Sequence, residues 1–159
     1  MKRLVVGLGN PGKKYQLNRH NIGFRIVDQY LIDKRAEKKT PWKNKFNGKF
    51  FLWPEKETIF FKPQTFMNLS GKAVAQVAFF YKLSPEDILI IHDELDLATA
   101  KLKFKKGGGT GGHRGLESIA DYLDSFRFNR MRFGIGRPSQ EDISFESQVE
   151  DKRGSVSDY

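Results

Sequence analysis

VVGLGNPGKKYQLNRHNIGF, residues 5–24, decides how the chain is read. It holds a literal G-x-G-x-x-G at Gly7, Gly9 and Gly12, directly after an apolar β-branched run. In a dinucleotide-binding fold such glycines run straight into a helix whose free N–H groups hold a pyrophosphate. Here Pro11 removes an N–H from the loop itself. About ten residues then separate Gly12 from the first helical periodicity, and the acids that follow, Asp28 and Asp33, fall within or at the end of that helix rather than after a second strand. The stretch therefore predicts a tight loop at a strand end that presents Asn10. Ligands on open α/β sheets gather beyond the carboxyl ends of the strands.

Working outward, Leu4-Val5-Val6 predicts a buried strand, and Ile22, Ile26, Val27, Tyr30 and Leu31 predict a helix over about 22–35. Residues 45–51 and 57–62 read as a hairpin or two successive strands. A second helix opens at Asn68-Leu69-Ser70-Gly71 and stops before Ser84-Pro85. Ile88–Ile91 is an apolar strand leading into His92-Asp93, Lys101–Lys105 alternates basic and apolar, a helix follows over about 114–124, and Arg130–Ile135 forms a last strand. Strands alternating with helices predict a single-domain α/β fold, a mixed β-sheet flanked by helices. Residues 1–138 form that domain, and the polar, aperiodic residues 139–159 read as loop or disordered tail.

The 159 residues carry 28 Lys and Arg against 19 Asp and Glu, a net charge of +9, which suits nucleic acid or an anionic lipid surface and equally serves solubility. The chain has no cysteine, which excludes disulfides, a thiolate nucleophile and cysteine-bound zinc. The N-terminal apolar run is too short for a signal peptide and nothing approaches a membrane span, so the expectation is a cytoplasmic protein with no membrane attachment.

Three places carry candidate chemistry. His20 lies in a polar loop before the first helix, and histidine is the usual general base near neutral pH, although a lone loop histidine often does nothing. Asp93, beyond a buried strand, is placed to orient an imidazole or, equally, to cap a turn. No Gly-x-Ser-x-Gly elbow occurs, so a His20–Asp93 dyad would act on water, with the carboxamides of Asn10 and Asn68 holding water or a carbonyl. Asn10 also reads as a turn residue and Asn68 as an N-cap. Between Lys105-Lys106 and the next helix, residues 107–115 hold six glycines, which favours an anion site at a helix start over a linker. Lys101, Lys103, Lys105, Arg130 and Arg132 fall on shared faces of two strands, a basic face for RNA phosphates or a solvated sheet surface, with Tyr15 or Phe66 available for stacking on a base.

Taken together, VGLGNPGKKY…RHNIGF, KPQTFMNLSGKAV, HDELDL, GGGTGGHRGL and RFGIGRP resemble the bacterial peptidyl-tRNA hydrolase family in order and spacing, from Val5 to about Pro138. The resemblance implies cleavage of the ester between a peptide and the 3′ ribose of tRNA. It implies no metal and no cofactor, and a monomer. It makes His20 the base that activates water, Asp93 its orienting carboxylate, and Asn10 the sensor of a blocked amino group. Asn68, Tyr15 and Phe66 become contacts to the substrate end, and Lys105, Arg130 and Arg132 the clamp for the tRNA 5′ phosphate. Two departures stand out. Arg114 occupies the position of an Asn that helps hold substrate and water, and a donor-only guanidinium there predicts slower turnover. Beyond Pro138 neither the family's strand nor its C-terminal helix is legible, so that helix is expected to be missing. The competing expectation is an RNA-binding relative that has lost efficient catalysis.

Overall fold

The computed structural model describes residues 1–38 and 40–137. The expected polar tail and the expected loss of a C-terminal helix lie outside the described residues. The elements are β1 (Arg3–Gly7), α1 (Ile22–Asp33), β2 (Lys43–Lys45), β3 (Gly48–Trp53), β4 (Thr58–Pro63), α2 (Ser70–Phe80), β5 (Ile88–Glu94), β6 (Leu102–Lys106), α3 (Arg114–Leu123) and β7 (Asn129–Gly134). They build the expected mixed sheet, in the order β2-β3-β4-β1-β5-β7-β6. The central strands β4, β1, β5 and β7 run parallel, and antiparallel β3 and β6 flank them.

Period-two alternation divides the core between two faces. Leu4, Val6, Ile59, Phe61, Ile88 and Ile90 face one way, packing with Val74 and Val77 of α2 and Leu116 and Ile119 of α3. Phe60 and Ile91 face the other way, with Phe51 of β3 and Val27 and Leu31 of α1. The two helices of the first face approach closely at Gly71, whose N–H donates to Ser118 Oγ at 2.8 Å.

Two boundaries differ from the sequence reading. β2 carries no apolar periodicity; it exists because Phe46 and Asn47 both take left-handed backbone (φ 57° and 55°), closing a two-residue turn that registers Lys45 against Gly48. β5 runs past its apolar run through His92 and Asp93 to Glu94, because β7 pairs with it over that length. Among the described residues no helix is long and apolar enough to cross a membrane.

The parallel strands end on one edge of the sheet, and α1 is pressed hard against that edge. A Cβ on Gly23 would stand 2.4 Å from the Ile91 carbonyl oxygen and 2.5 Å from Leu8 N. Only glycine at this first turn of α1 brings the preceding loop, with His20, down onto β5. Gly23→Ala is expected to lower stability by about 3 kcal/mol through overpacking against backbone, read as a lower urea midpoint.

Candidate active site

Four parallel strands deliver the loops of the site. Asn10 follows β1, Met67 follows β4, Asp93 lies near the end of β5, and Arg137 follows β7. The β1–α1 loop is long and is held by side-chain amides rather than by apolar packing. Asn10 N–H donates to Asn21 Oδ1, and Asn21 Nδ2 returns the bond to the Asn10 carbonyl, both at 2.8 Å. Asn18 Oδ1 accepts from the His20 N–H at 2.9 Å and caps the single 3-10 turn Arg19–Asn21. Asn10 Oδ1 in turn accepts the Met67 N–H at 2.9 Å, stitching this loop to the one after β4.

Asp93, 5 % exposed, sits where these loops meet. Its Oδ2 lies 2.5 Å from His20 Nδ1 and its Oδ1 lies 2.7 Å from His113 Nε2. A carboxylate only accepts, so both ring nitrogens carry their protons. Burial by itself would raise the Asp93 pKa. The hydrogen bonds from His113 and His20 outweigh it and hold the carboxyl well below the usual carboxylate range. With its proton on Nδ1, the neutral His20 ring has its lone pair on Nε2.

His113, which the sequence reading left among the glycines, is thus the third member of the cluster. Its Nδ1 accepts the Gly115 and Leu116 N–H groups at 3.1 and 3.3 Å, so it is the N-cap of α3. That corrects the expected anion site: the first-turn amides which would have met a phosphate already bond to an imidazole. The signal that could have found His113 was its place immediately before a helix, where a side-chain acceptor is needed.

Arg130 is a second correction. Alternation rightly sets it opposite Lys105, as Arg132 is opposite Lys103. Yet Arg130 is 1 % exposed, because the glycine loop folds over it. Nη1 donates to the carbonyls of Gly107 (3.2 Å) and Gly109 (2.5 Å), and Nη2 to those of Gly108 (2.6 Å) and Phe126 (3.4 Å). It clamps a loop of this chain, and its buried guanidinium is not presented to a phosphate. Arg132 is part-buried and faces Glu94 at 3.5 Å, while Lys105 is exposed.

His20, Met67, Asp93, His113 and Arg114 line one cleft of about 150 Å³, together with Glu94, Asp96 and Arg137. Asn10 lines a neighbouring, wider cleft of about 620 Å³ with Lys13, Arg25, Lys49 and Lys62. Phe66 and Asn68 are exposed on either side of Met67. Tyr15 is half-buried in the turn Lys13–Tyr15, beneath Lys14 at 4.9 Å, and lines neither cleft. Among the described residues no group of three or more His, Cys, Asp or Glu side chains is placed to hold a metal ion.

The fold and site define an α/β domain with an aspartate-oriented histidine at the carboxyl edge of a mixed sheet. Residues 4–149 match the family model described as peptidyl-tRNA hydrolase. The chain is 44 % identical over 146 residues to the peptidyl-tRNA hydrolase of Lactobacillus gasseri, covering 89 % of this chain and 76 % of that protein. Against the enzyme of that name from Dichelobacter nodosus it is 50 % identical over 140 residues, covering 87 % and 73 %. The crystal structure of peptidyl-tRNA hydrolase from Acinetobacter baumannii superposes with a TM-score of 0.77 at 43 % identity, covering 89 % of this chain and 72 % of that one. The chain belongs to the peptidyl-tRNA hydrolase family.

Two outcomes follow from the buried groups. Arg130→Lys, which cannot span four carbonyls, is expected to lower stability by about 2–4 kcal/mol, measured by urea unfolding. His92, 1 % exposed, donates Nδ1–H to the Asp93 carbonyl at 2.8 Å, and its pKa is lowered from 6.5 to about 4 by burial first and by neighbouring His113 second. The folded value lies below the unfolded one, so between about pH 6.5 and 4 the unfolded chain takes a proton that the folded chain refuses, and stability is lost as pH falls through that window. The His92 contribution to that loss at pH 4 is about 3 kcal/mol. His92→Asn, which keeps a donor near the Nδ1 position, is expected to flatten the stability profile across this window.

Proposed function

We propose that this chain hydrolyses the ester joining a peptide, or an N-blocked amino acid, to the 3′ ribose of tRNA. The observation that carries the reading is the buried Asp93 carboxylate accepting His20 Nδ1–H at 2.5 Å at the wall of a cleft. His20 Nε2 takes a proton from water as the water oxygen attacks the ester carbonyl. Asp93 stabilises the imidazolium that forms, and the ring returns the proton to the departing ribose oxygen. The products are a peptide carboxylic acid and a tRNA with a free terminal hydroxyl.

Asn10 discriminates blocked from unblocked amines; its anchoring through Oδ1 to Met67 supports that role by fixing the carboxamide. Tyr15, Phe66 and Asn68 meet the substrate end, and Lys105 with Arg132 meets the 5′ phosphate. The net charge of +9 suits this RNA partner. Arg114 stands at the first residue of α3, on the cleft wall, and grips a phosphate or carbonyl oxygen without accepting a bond from water. The chain acts as a cytoplasmic monomer. The intact His20–Asp93 pair counts against the alternative of an RNA-binding protein that has lost catalysis.

The test is acyl release from N-acetylated aminoacyl-tRNA, with unblocked aminoacyl-tRNA alongside. Release is expected from the blocked substrate only, and His20→Ala is expected to lower kcat/KM by at least about 100-fold. Arg114→Asn is expected to raise kcat by about tenfold. A chain that binds tRNA in a gel shift, weakening with salt, yet releases nothing would overturn the assignment.

A further inference from the structure

His113 touches neither the attacked carbonyl nor the water in the reading above, yet it shares the Asp93 carboxylate with His20. We propose that His113 is a positioning residue: its Nε2–H fixes the Asp93 carboxylate in the orientation that holds His20 productive, and its Nδ1 ties that orientation to the start of α3. The inference rests on the proposed roles of His20 and Asp93.

The tautomer is dictated by geometry. Two backbone N–H groups, of Gly115 and Leu116, point at Nδ1 within 3.3 Å, so Nδ1 has no proton to offer and must present its lone pair. The ring proton is therefore on Nε2, 2.7 Å from Asp93 Oδ1. A carboxylate with one donor can swing about its Cβ–Cγ bond. With donors on both oxygens, from loops on either side of it, Asp93 is held in one plane, and the His20 ring is held with it. Burial adds a second pressure, because each carboxylate oxygen left without a donor in a water-poor site is costly. The His113 ring is seated in turn, packing T-shaped against buried His92 with ring centroids 5.0 Å apart. The groups facing the Asp93–His113 pair are His20 from the β1–α1 loop, His92 from β5, and Glu94, Asp96, Arg114 and Arg137 around the cleft. Arg130 holds the other end of the same glycine loop, so the loop reaching His113 is pinned at both ends.

The two functions of the ring can be separated by two substitutions. Asn places an acceptor where Nδ1 stands and is a good N-cap, but it is too short to donate to Asp93. Gln places an N–H where Nε2 stands and gives up the cap. His113→Asn keeps the cap and is expected to lower Tm only through the donor lost from Asp93 Oδ1. Its kcat on N-acetylated aminoacyl-tRNA should fall about tenfold or more with KM nearly unchanged. His113→Gln is expected to lower Tm and to recover most of the kcat that His113→Asn loses. A fully active His113→Asn would make His113 a helix cap alone, and equal kcat losses in both variants would show that the donor to Asp93 is not what activity needs; either result would overturn the proposal. A readout independent of activity is ring ¹⁵N NMR of the wild-type chain at neutral pH. It should show His113 protonated at Nε2 with Nδ1 bare; the opposite tautomer would also overturn the proposal. If wild type fails to hydrolyse the substrate, the proposed function falls, and the NMR tautomer still decides for or against the His113 geometry.

Discussion

A buried negative charge has to be met by donors, and in this fold that requirement organises the edge of the sheet. Asp93 sits on the central strand β5, flanked by parallel β1 and β7, with little water to solvate it. Neither of its neighbours along β5 is a cation, so the donors come from elsewhere: one imidazole from the β1–α1 loop and one from the glycine-rich loop before α3. Each is positioned by a helix start, His20 just before α1 and His113 as the cap of α3. The close seat of Gly23 against β1 and β5 is what allows the first of these approaches.

The same principle explains how irregular chain is kept in place around the site. Loops expose backbone amides and carbonyls that no neighbouring strand pairs, and side chains with several polar atoms take over that work. Asn21 exchanges two bonds with Asn10, Asn18 caps the turn that carries His20, and Arg130 gathers four carbonyls under the glycine loop. A guanidinium suits that last task because its planar fork offers several fixed donors and stays charged when buried. The positive charge of the chain therefore has two uses. Arg130 is buried inside the protein, whereas Lys101, Lys103 and Lys105 remain on the exposed edge at β6, where their charge is presented to solvent.

The architecture was largely legible because its signals are local. β-branched runs and helical periodicity gave β1, β5 and the three helices, and Pro11 was enough to separate the opening loop from a dinucleotide site. β2 escaped because Lys43, Asn44 and Lys45 have no apolar period and the turn after them carries Phe46 at a left-handed position. The pairing of His20 with Asp93 was expected as chemistry and emerged as a contact across 73 residues of sequence. His113 and Arg130 were misjudged together, for one reason. Each was read by its neighbours in sequence, glycines and a basic strand, whereas each is defined by what the glycine loop does when it closes over β7.

By itself, the sequence determined the class of fold, the family and the residues able to do acid–base chemistry on water, since periodicity, turn residues and motif spacing are properties of neighbouring positions. Only the tertiary structure decided which of those residues share a proton network and which basic residues are buried. Those outcomes depend on distances between segments far apart in the chain. They also depend on desolvation, which turns an arginine among carbonyls into a structural clamp and binds a buried carboxylate to two imidazoles.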